Sequence, residues 1–281
     1  MARRDRPMRY LCCALAGAVL LGAAAGPSAA TDPVALLGDT APEEVALDGG
    51  ARLLVWRLAD RAGAWRPLEV VVVVIPGGAA TWRVLPVDAA GSRTALLDGL
   101  PCPGAIARAS GGFFAAHQGG HAPLGLAVGD GFALSPFSPR RWGGVLVRRG
   151  GESAILPLAA FPADGVWDQA LQSSPILVAD GANDMLRDDG QLDNRLAVAL
   201  HGAGGLALVG AFRDGGGAVS LHSFAELLLA LGPLAGLAPE SALALDGGSS
   251  AGIVLPGAHR SWGSGLPGYM PNALCLAPPG P

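Results

Sequence analysis

The sequence predicts a strand-rich α+β fold, a mixed sheet with a few covering helices in a single domain. Short runs of branched and aromatic apolar residues recur between glycine- and proline-rich connections, the pattern of strands joined by turns. Clear helical periodicity is confined to one segment, beginning at Ser223. No composition shift divides the chain after residue 50, so 51–281 is expected to form one domain.

The first thirty residues stand apart. Arg3, Arg4, Arg6 and Arg9 precede an apolar run from Leu11 to Ala25, and Ser28-Ala29-Ala30 supplies small residues for cleavage. This is the layout of a secretory signal peptide, with the mature protein periplasmic or extracellular. The run is short and rich in Ala and Gly for a membrane span, so no stable span is expected after cleavage. Residues 31–50, rich in Pro, Gly and acids, are expected to be an unstructured lead-in.

Beyond it, Arg52–Arg57 and Leu68–Ile75 form a first strand pair, and Val70–Ile75 is apolar throughout, as a strand buried on both faces would be. Further strands are expected at Gly144–Val147, Ser153–Leu158, Ile176–Ala179, Leu196–His201, Leu206–Phe212 and Ala242–Leu245. Ser223-Phe-Ala-Glu226 has capping-box form. Phe224, Leu227, Leu228 and Leu231 then share one face, and Gly232-Pro233 is expected to stop the helix.

Composition excludes several chemistries. The chain has no lysine, so a Walker-type loop, a Schiff-base lysine and a Ser-Lys dyad are all ruled out. Without residues 1–30 it carries 15 arginines against 22 carboxylates, and no basic stripe suggests nucleic acid. His117 and His121 lie in a glycine-rich loop that does not place them on one helix face, so neither a metal nor another cofactor is expected. Cys102 and Cys275 remain after cleavage, either as one disulfide or as two buried thiols.

Three glycine-marked segments carry the chemistry. In Leu245-Asp246-Gly247-Gly248-Ser249-Ser250 a strand delivers a carboxylate to a flexible turn, although Asp-Gly is also a hairpin signal. In Ser110-Gly111-Gly112-Phe113-Phe114 two glycines precede two aromatics, either a tight bend with a core pair or a ligand approach with a sugar-stacking wall. The third strand, Ile176–Ala179, ends at Asp180-Gly181. Arg195 then opens a strand, placed either for bidentate capture of a phosphate or carboxylate or for an ion pair with Asp193 or Asp189.

In order, Ala109-Ser-Gly-Gly-Phe-Phe114, Pro123-Leu-Gly125, Pro175-Ile-Leu-Val-Ala-Asp-Gly181, Arg195, Leu245-Asp-Gly-Gly-Ser-Ser250 and Pro271-Asn-Ala273 resemble the phosphodiester glycosidase family. The resemblance runs from about Ala105 to Leu276. Ser110 stands where the family often has Asn, Arg195-Leu-Ala-Val-Ala199 replaces the frequent Arg-Thr-Ala-x-Gly, and Asp246 is followed by one glycine fewer than in the family's Asp-Gly-Gly-Gly-Ser form.

The resemblance implies cleavage between a sugar's anomeric carbon and phosphate, with a glycan or sugar phosphate as substrate and a link to exopolysaccharide or cell-envelope glycan. It casts Asp246 as nucleophile or base, Arg195 as the holder of the leaving phosphate, and Asp180 as second acid or sugar contact. Ser110, Gly111, Gly112, Phe113, Phe114, Gly181, Gly247, Gly248, Ser249 and Asn272 would contact substrate. Two readings compete. One is a secreted carbohydrate-binding or scaffold domain without catalysis. The other is a serine esterase built on Gly248-Ser-Ser250-Ala-Gly252 with His259, although no acid follows Asp246.

Overall fold

The computed structural model describes residues 32–59, 66–86, 97–117, 120–139, 143–202, 204–263 and 270–279; the segment expected to be a signal peptide lies outside them. The largest sheet has eight strands in the spatial order β1 (Glu43–Ala46), β2 (Arg52–Leu58), β3 (Leu68–Ile75), β16 (Gly205–Phe212), β15 (Arg195–His201), β17 (Pro239–Ala244), β13 (Ile176–Ala179) and β14 (Ala182–Asn183). A five-stranded sheet runs β11 (Glu152–Pro157), β10 (Gly144–Arg149), β12 (Gln169–Ser173), β8 (Ala127–Gly129) and β9 (Phe132–Ser135). A second five-stranded sheet runs β19 (Arg260–Gly263), β18 (Gly252–Leu255), β5 (Ala107–Ser110), β20 (Asn272–Ala277) and β4 (Thr81–Pro86). A hairpin, β6 (Phe114–His117) and β7 (Gly120–Pro123), stands beside them.

The strand-rich α+β class is observed. The described strands divide into several sheets paired antiparallel, where one mixed sheet was expected. Short hairpin connections favour antiparallel neighbours, because a parallel pair needs a long crossover. The strand expectations hold to within a few residues. Short strands such as β6, β7 and β19 carry too little apolar periodicity to be read from sequence.

Alternation along the large sheet divides its side chains between two cores. Leu53, Val55, Val71, Val73, Leu196, Val198, Leu243 and Leu245 face the two five-stranded sheets, and meet Ala109, Ile253 and Leu274 from one and Leu146 and Leu171 from the other. Leu54, Trp56, Val70, Val72, Ala197, Ala199 and Ala244 face the opposite way, onto helix α2 (Leu221–Ala235) and Leu37 of α1 (Pro33–Asp39). The long apolar run of β3 is thus buried on both faces, and helices, sheet and sheets form three layers.

Two expectations are corrected. The helix begins at its cap Ser220, whose hydroxyl accepts from the Ser223 amide, and ends at Gly236, which takes φ +66°. Pro233 lies inside the helix instead of stopping it, and the left-handed turn falls on the later glycine. Residues 31–50, expected to lack structure, form α1 and the edge strand β1 among their described members. Leu37 is fully buried, and Glu43 is bound by both Arg57 and Arg260, the latter at 2.6 Å.

Cys102 and Cys275 are joined in a disulfide that spans 173 residues of sequence. It anchors the loop before β5 to the middle of β20, inside a small cluster with Ala277. Closing so long a loop restricts the unfolded chain, so Cys102→Ser with Cys275→Ser should cost about 2–5 kcal/mol in denaturant unfolding, with the native fold retained at low denaturant.

Candidate active site

Strand β17 delivers the chain to Asp246, and there the chain leaves the large sheet. The Leu245 amide still donates to the Leu196 carbonyl of β15 at 2.9 Å, whereas the next amide, that of Asp246, donates to Gly111 at 2.8 Å, beyond the end of β5. Gly248 then donates back to the Asn194 carbonyl at 2.8 Å, and after a short turn over Gly248–Ser250 the chain enters β18. The glycine- and serine-rich segment is therefore the crossing from one sheet to another.

Asp246 is only 8% exposed. Burial raises its pKa to about 6, while hydrogen bonds from the Ser250 hydroxyl and the Gly247 amide act in the opposite direction. A buried carboxyl without a cationic partner is costly when ionised.

Its surroundings explain the Ser-Gly-Gly segment. Ser110 is fully buried and donates to the Ser250 carbonyl at 2.5 Å, so it holds the crossing in place and does not reach a ligand. Asn272, also buried, accepts from the Gly112 amide at 2.8 Å. A Cβ on Gly111 would lie 1.9 Å from Asn272 Oδ1, and one on Gly112 would lie 2.7 Å from the Gln172 carbonyl. Both glycines are required by protein packing, as the tight-bend reading expects. Phe113 and Phe114 are half-buried, and Phe114 packs on a cluster containing Leu97 and Met270. Gly111→Ala should therefore cost about 1–3 kcal/mol, read as a lower denaturation midpoint with unchanged slope.

Arg195 lies beside the crossing. Its Nε donates to the Val219 carbonyl at 3.1 Å and its Nη2 to that of Gln191 at 2.6 Å. Its Nη1 makes no hydrogen bond among the described residues, and a Cβ on Gly247 would lie 4.0 Å from it. Burial pulls the guanidinium pKa below its ordinary value, against the opposing influence of Asp193 and Asp189. Gly247 and Gly248 are half-buried and Ser249 is exposed. Arg195, Gly247, Gly248, Ser249 and Asp246 are thus brought to one end of the sheets.

Asp180 is not brought there. β13 and β17 are antiparallel, with Ile176 opposite Leu243, so the two strands deliver their terminal acids to opposite ends. The Gly181 amide donates to the Glu240 carbonyl, five strand residues and about 16 Å before Leu245. Asp180 and Gly181, at φ +49° and +72°, form the two-residue turn between β13 and β14. The hairpin chemistry of Asp-Gly is realised here and removes both residues from the Asp246 site. The carboxylate that does lie near the crossing is Asp193, whose Oδ2 would be 3.1 Å from a Cβ on Gly248. Its place two residues before Arg195 was the available signal, read only as an ion-pair partner.

The nucleophile-elbow pattern at Ser250 is not realised. Ser250 is followed by a strand in place of a helix, and His259 lies at the far end of the β18–β19 hairpin. Among the described residues no group of three His, Cys, Asp or Glu could hold a metal, and the side chains of His117 and His121 lie outside the description.

The phosphodiester glycosidase family model matches residues 103–276. The chain belongs to that family. Its fold resembles the catalytic domain of the zebrafish N-acetylglucosamine-1-phosphodiester alpha-N-acetylglucosaminidase, in a form auto-inhibited by its pro-peptide, with TM-score 0.62 and 18% identity over 89% of this chain and 94% of that one. A hypothetical protein from Synechocystis gives TM-score 0.56 and 17% identity over 84% of this chain and 63% of that one. A protein from Burkholderia pseudomallei described as exported gives 0.55 and 14% over 75% and 74%. No curated protein matches the chain.

The raised pKa of Asp246 sets a pH dependence of stability. The folded protein retains the proton to about pH 6, whereas the unfolded chain releases it near 3.8, so stability falls as pH rises through that window. Asp246→Asn should then stabilise the fold at pH 7 by up to about 3 kcal/mol relative to its effect at pH 4, measured by denaturant unfolding at both.

Proposed function

We propose that this protein is an exported glycosidase that hydrolyses the bond between a sugar's anomeric carbon and phosphate in a sugar 1-phosphodiester of an exopolysaccharide or cell-envelope glycan. The observation that carries the reading is the buried Asp246 carboxyl, with a pKa of about 6, on the same crossing as the half-buried Arg195 guanidinium. A carboxyl tuned close to neutrality is ionised at working pH and still basic enough to take a proton.

The phosphate of the diester lies on Arg195 Nη1, whose charge offsets the charge it gains on leaving. The bond from the anomeric carbon to the phosphate oxygen breaks, and its electron pair leaves with the phosphate. The departing phosphomonoester is a good leaving group and needs no proton from an acid. Water adds its oxygen to the anomeric carbon, and Asp246 accepts the proton that the water loses. The Ser250 hydroxyl and Gly247 amide orient that carboxylate. The alternative role, attack by Asp246 itself, gives a covalent glycosyl intermediate and retention at the anomeric centre.

The test is to incubate the folded protein with an N-acetylglucosamine 1-phosphodiester and measure free sugar. Asp246→Asn should lower turnover at least about a hundredfold, and Arg195→Ala about tenfold to a thousandfold. Asp180→Asn should leave it unchanged. The wild-type rate should rise with pH through about 6 as Asp246 ionises. Intact substrate alongside measurable binding would make the protein a carbohydrate-binding domain.

A further inference from the structure

The sheets have a second end, and it too holds a cavity. β15 runs from Arg195 to His201, so features beside Leu200 lie about 17 Å from the Asp246 crossing. There the end of β3, the start of β4 and the turn between β10 and β11 enclose about 420 Å³, a volume typical of small-molecule sites. Ile75, Leu206 and Leu276 give its lining an apolar part. Arg83, Arg148, Asp168 and Ser153 give it a polar wall.

Arg148 is built into this wall. Its Nη1 donates to the Trp82 carbonyl at 2.9 Å, and its guanidinium lies 6.0 Å from the centre of the Trp82 ring. Its Nε and Nη2 make no hydrogen bond among the described residues. Burial lowers its pKa despite Asp168 and Asp130, and Arg83 acts in the same direction as burial. Asp168 is hydrogen-bonded to the Gly150 amide through one oxygen and forms no ion pair with Arg148. The Ser153 hydroxyl accepts from Trp82 Nε1 at 2.9 Å and keeps its own proton to donate. The lining therefore offers two guanidinium groups against one carboxylate, with a hydroxyl donor and an apolar face.

We propose that this cavity binds an anionic sugar unit, a pyranose bearing a carboxylate or a phosphate. Arg83 and Arg148 take the anion, Asp168 and Ser153 take ring hydroxyls, and the apolar part of the lining takes the C–H face of the ring. The choice of a sugar rests on the glycosidase reading above. The site would hold a distant unit of an anionic glycan while another part of that glycan occupies the Asp246 end.

Binding is read by calorimetry with glucuronate, glucose 6-phosphate, glucose and inorganic phosphate, on the intact protein and separately from any turnover. Glucuronate or glucose 6-phosphate should bind saturably and more tightly than glucose, and the tighter of the two identifies the anion. Arg83 is exposed, so Arg83→Ala keeps the fold and should weaken that binding about tenfold or more. Asp246→Asn should leave it intact. Absence of binding, equal binding of glucose, phosphate binding as tight as the sugar phosphate, indifference to Arg83→Ala, or loss in Asp246→Asn would each overturn the proposal. Binding that follows the expected pattern in a protein that releases no sugar would overturn the catalytic reading and leave this site standing.

Discussion

The hydrogen bond from the Asp246 amide to the Gly111 carbonyl fixes where the chain leaves one sheet for another. One residue earlier, Leu245 is still bonded to β15 and buried in the core between the sheets. A chain that changes sheets must leave some peptide groups outside both ladders, and those groups need partners. Gly111, Asn194 and Ser110 provide them, through a carbonyl, a second carbonyl and a hydroxyl. Each partner depends on a close approach that a larger side chain would block, which is why glycine and serine gather on both sides of the junction.

That junction also explains the chemistry of the carboxyl. A side chain at the end of an exposed strand would be solvated, and its pKa would stay near 4. At the meeting of two sheets it is covered on several sides, and the Ser250 hydroxyl and Gly247 amide only partly replace water. The fold tolerates an acid whose ionised form is disfavoured, and a packed interior of 0% exposed Val, Leu and Phe residues offsets that cost. Stability given up at an acid buried in this way is a mark of a functional site.

Much of this was legible in the sequence, for reasons that differ by segment. Val70–Ile75 and Leu206–Phe212 were readable because long apolar runs leave few alternatives, and the Cys102 and Cys275 pairing was one of two open readings. Three of the chain's Asp-Gly dipeptides illustrate the limit. Those at Asp130 and Asp180 take positive φ and close hairpins, whereas Asp246 does not and the Gly248 that follows Gly247 does instead. Nothing local separates them; the difference is set by which strand lies across from each, a long-range fact. The packing roles of Ser110, Gly111 and Asn272 were hidden likewise, because residues 160 apart in sequence make that contact.

Antiparallel pairing has a further consequence for how the two ends of the molecule relate. Adjacent strands must deliver their ends to opposite sides, so the fold cannot gather every loop at one pole. β17 brings Asp246 to one end, while β13 and β15 carry Asp180 and His201 to the other. Charged residues at the second pole are therefore no part of the carboxyl site, however close they stand to a family motif in sequence. Arg148 needs its own account: a half-buried guanidinium, fixed on Trp82 and short of compensating charge, costs free energy that the packing of the sheets does not require. An anion in the adjoining cavity would lower that cost without disturbing the crossing at Asp246, and a rigid stack of sheets between the poles would hold both parts of one long ligand at a constant spacing.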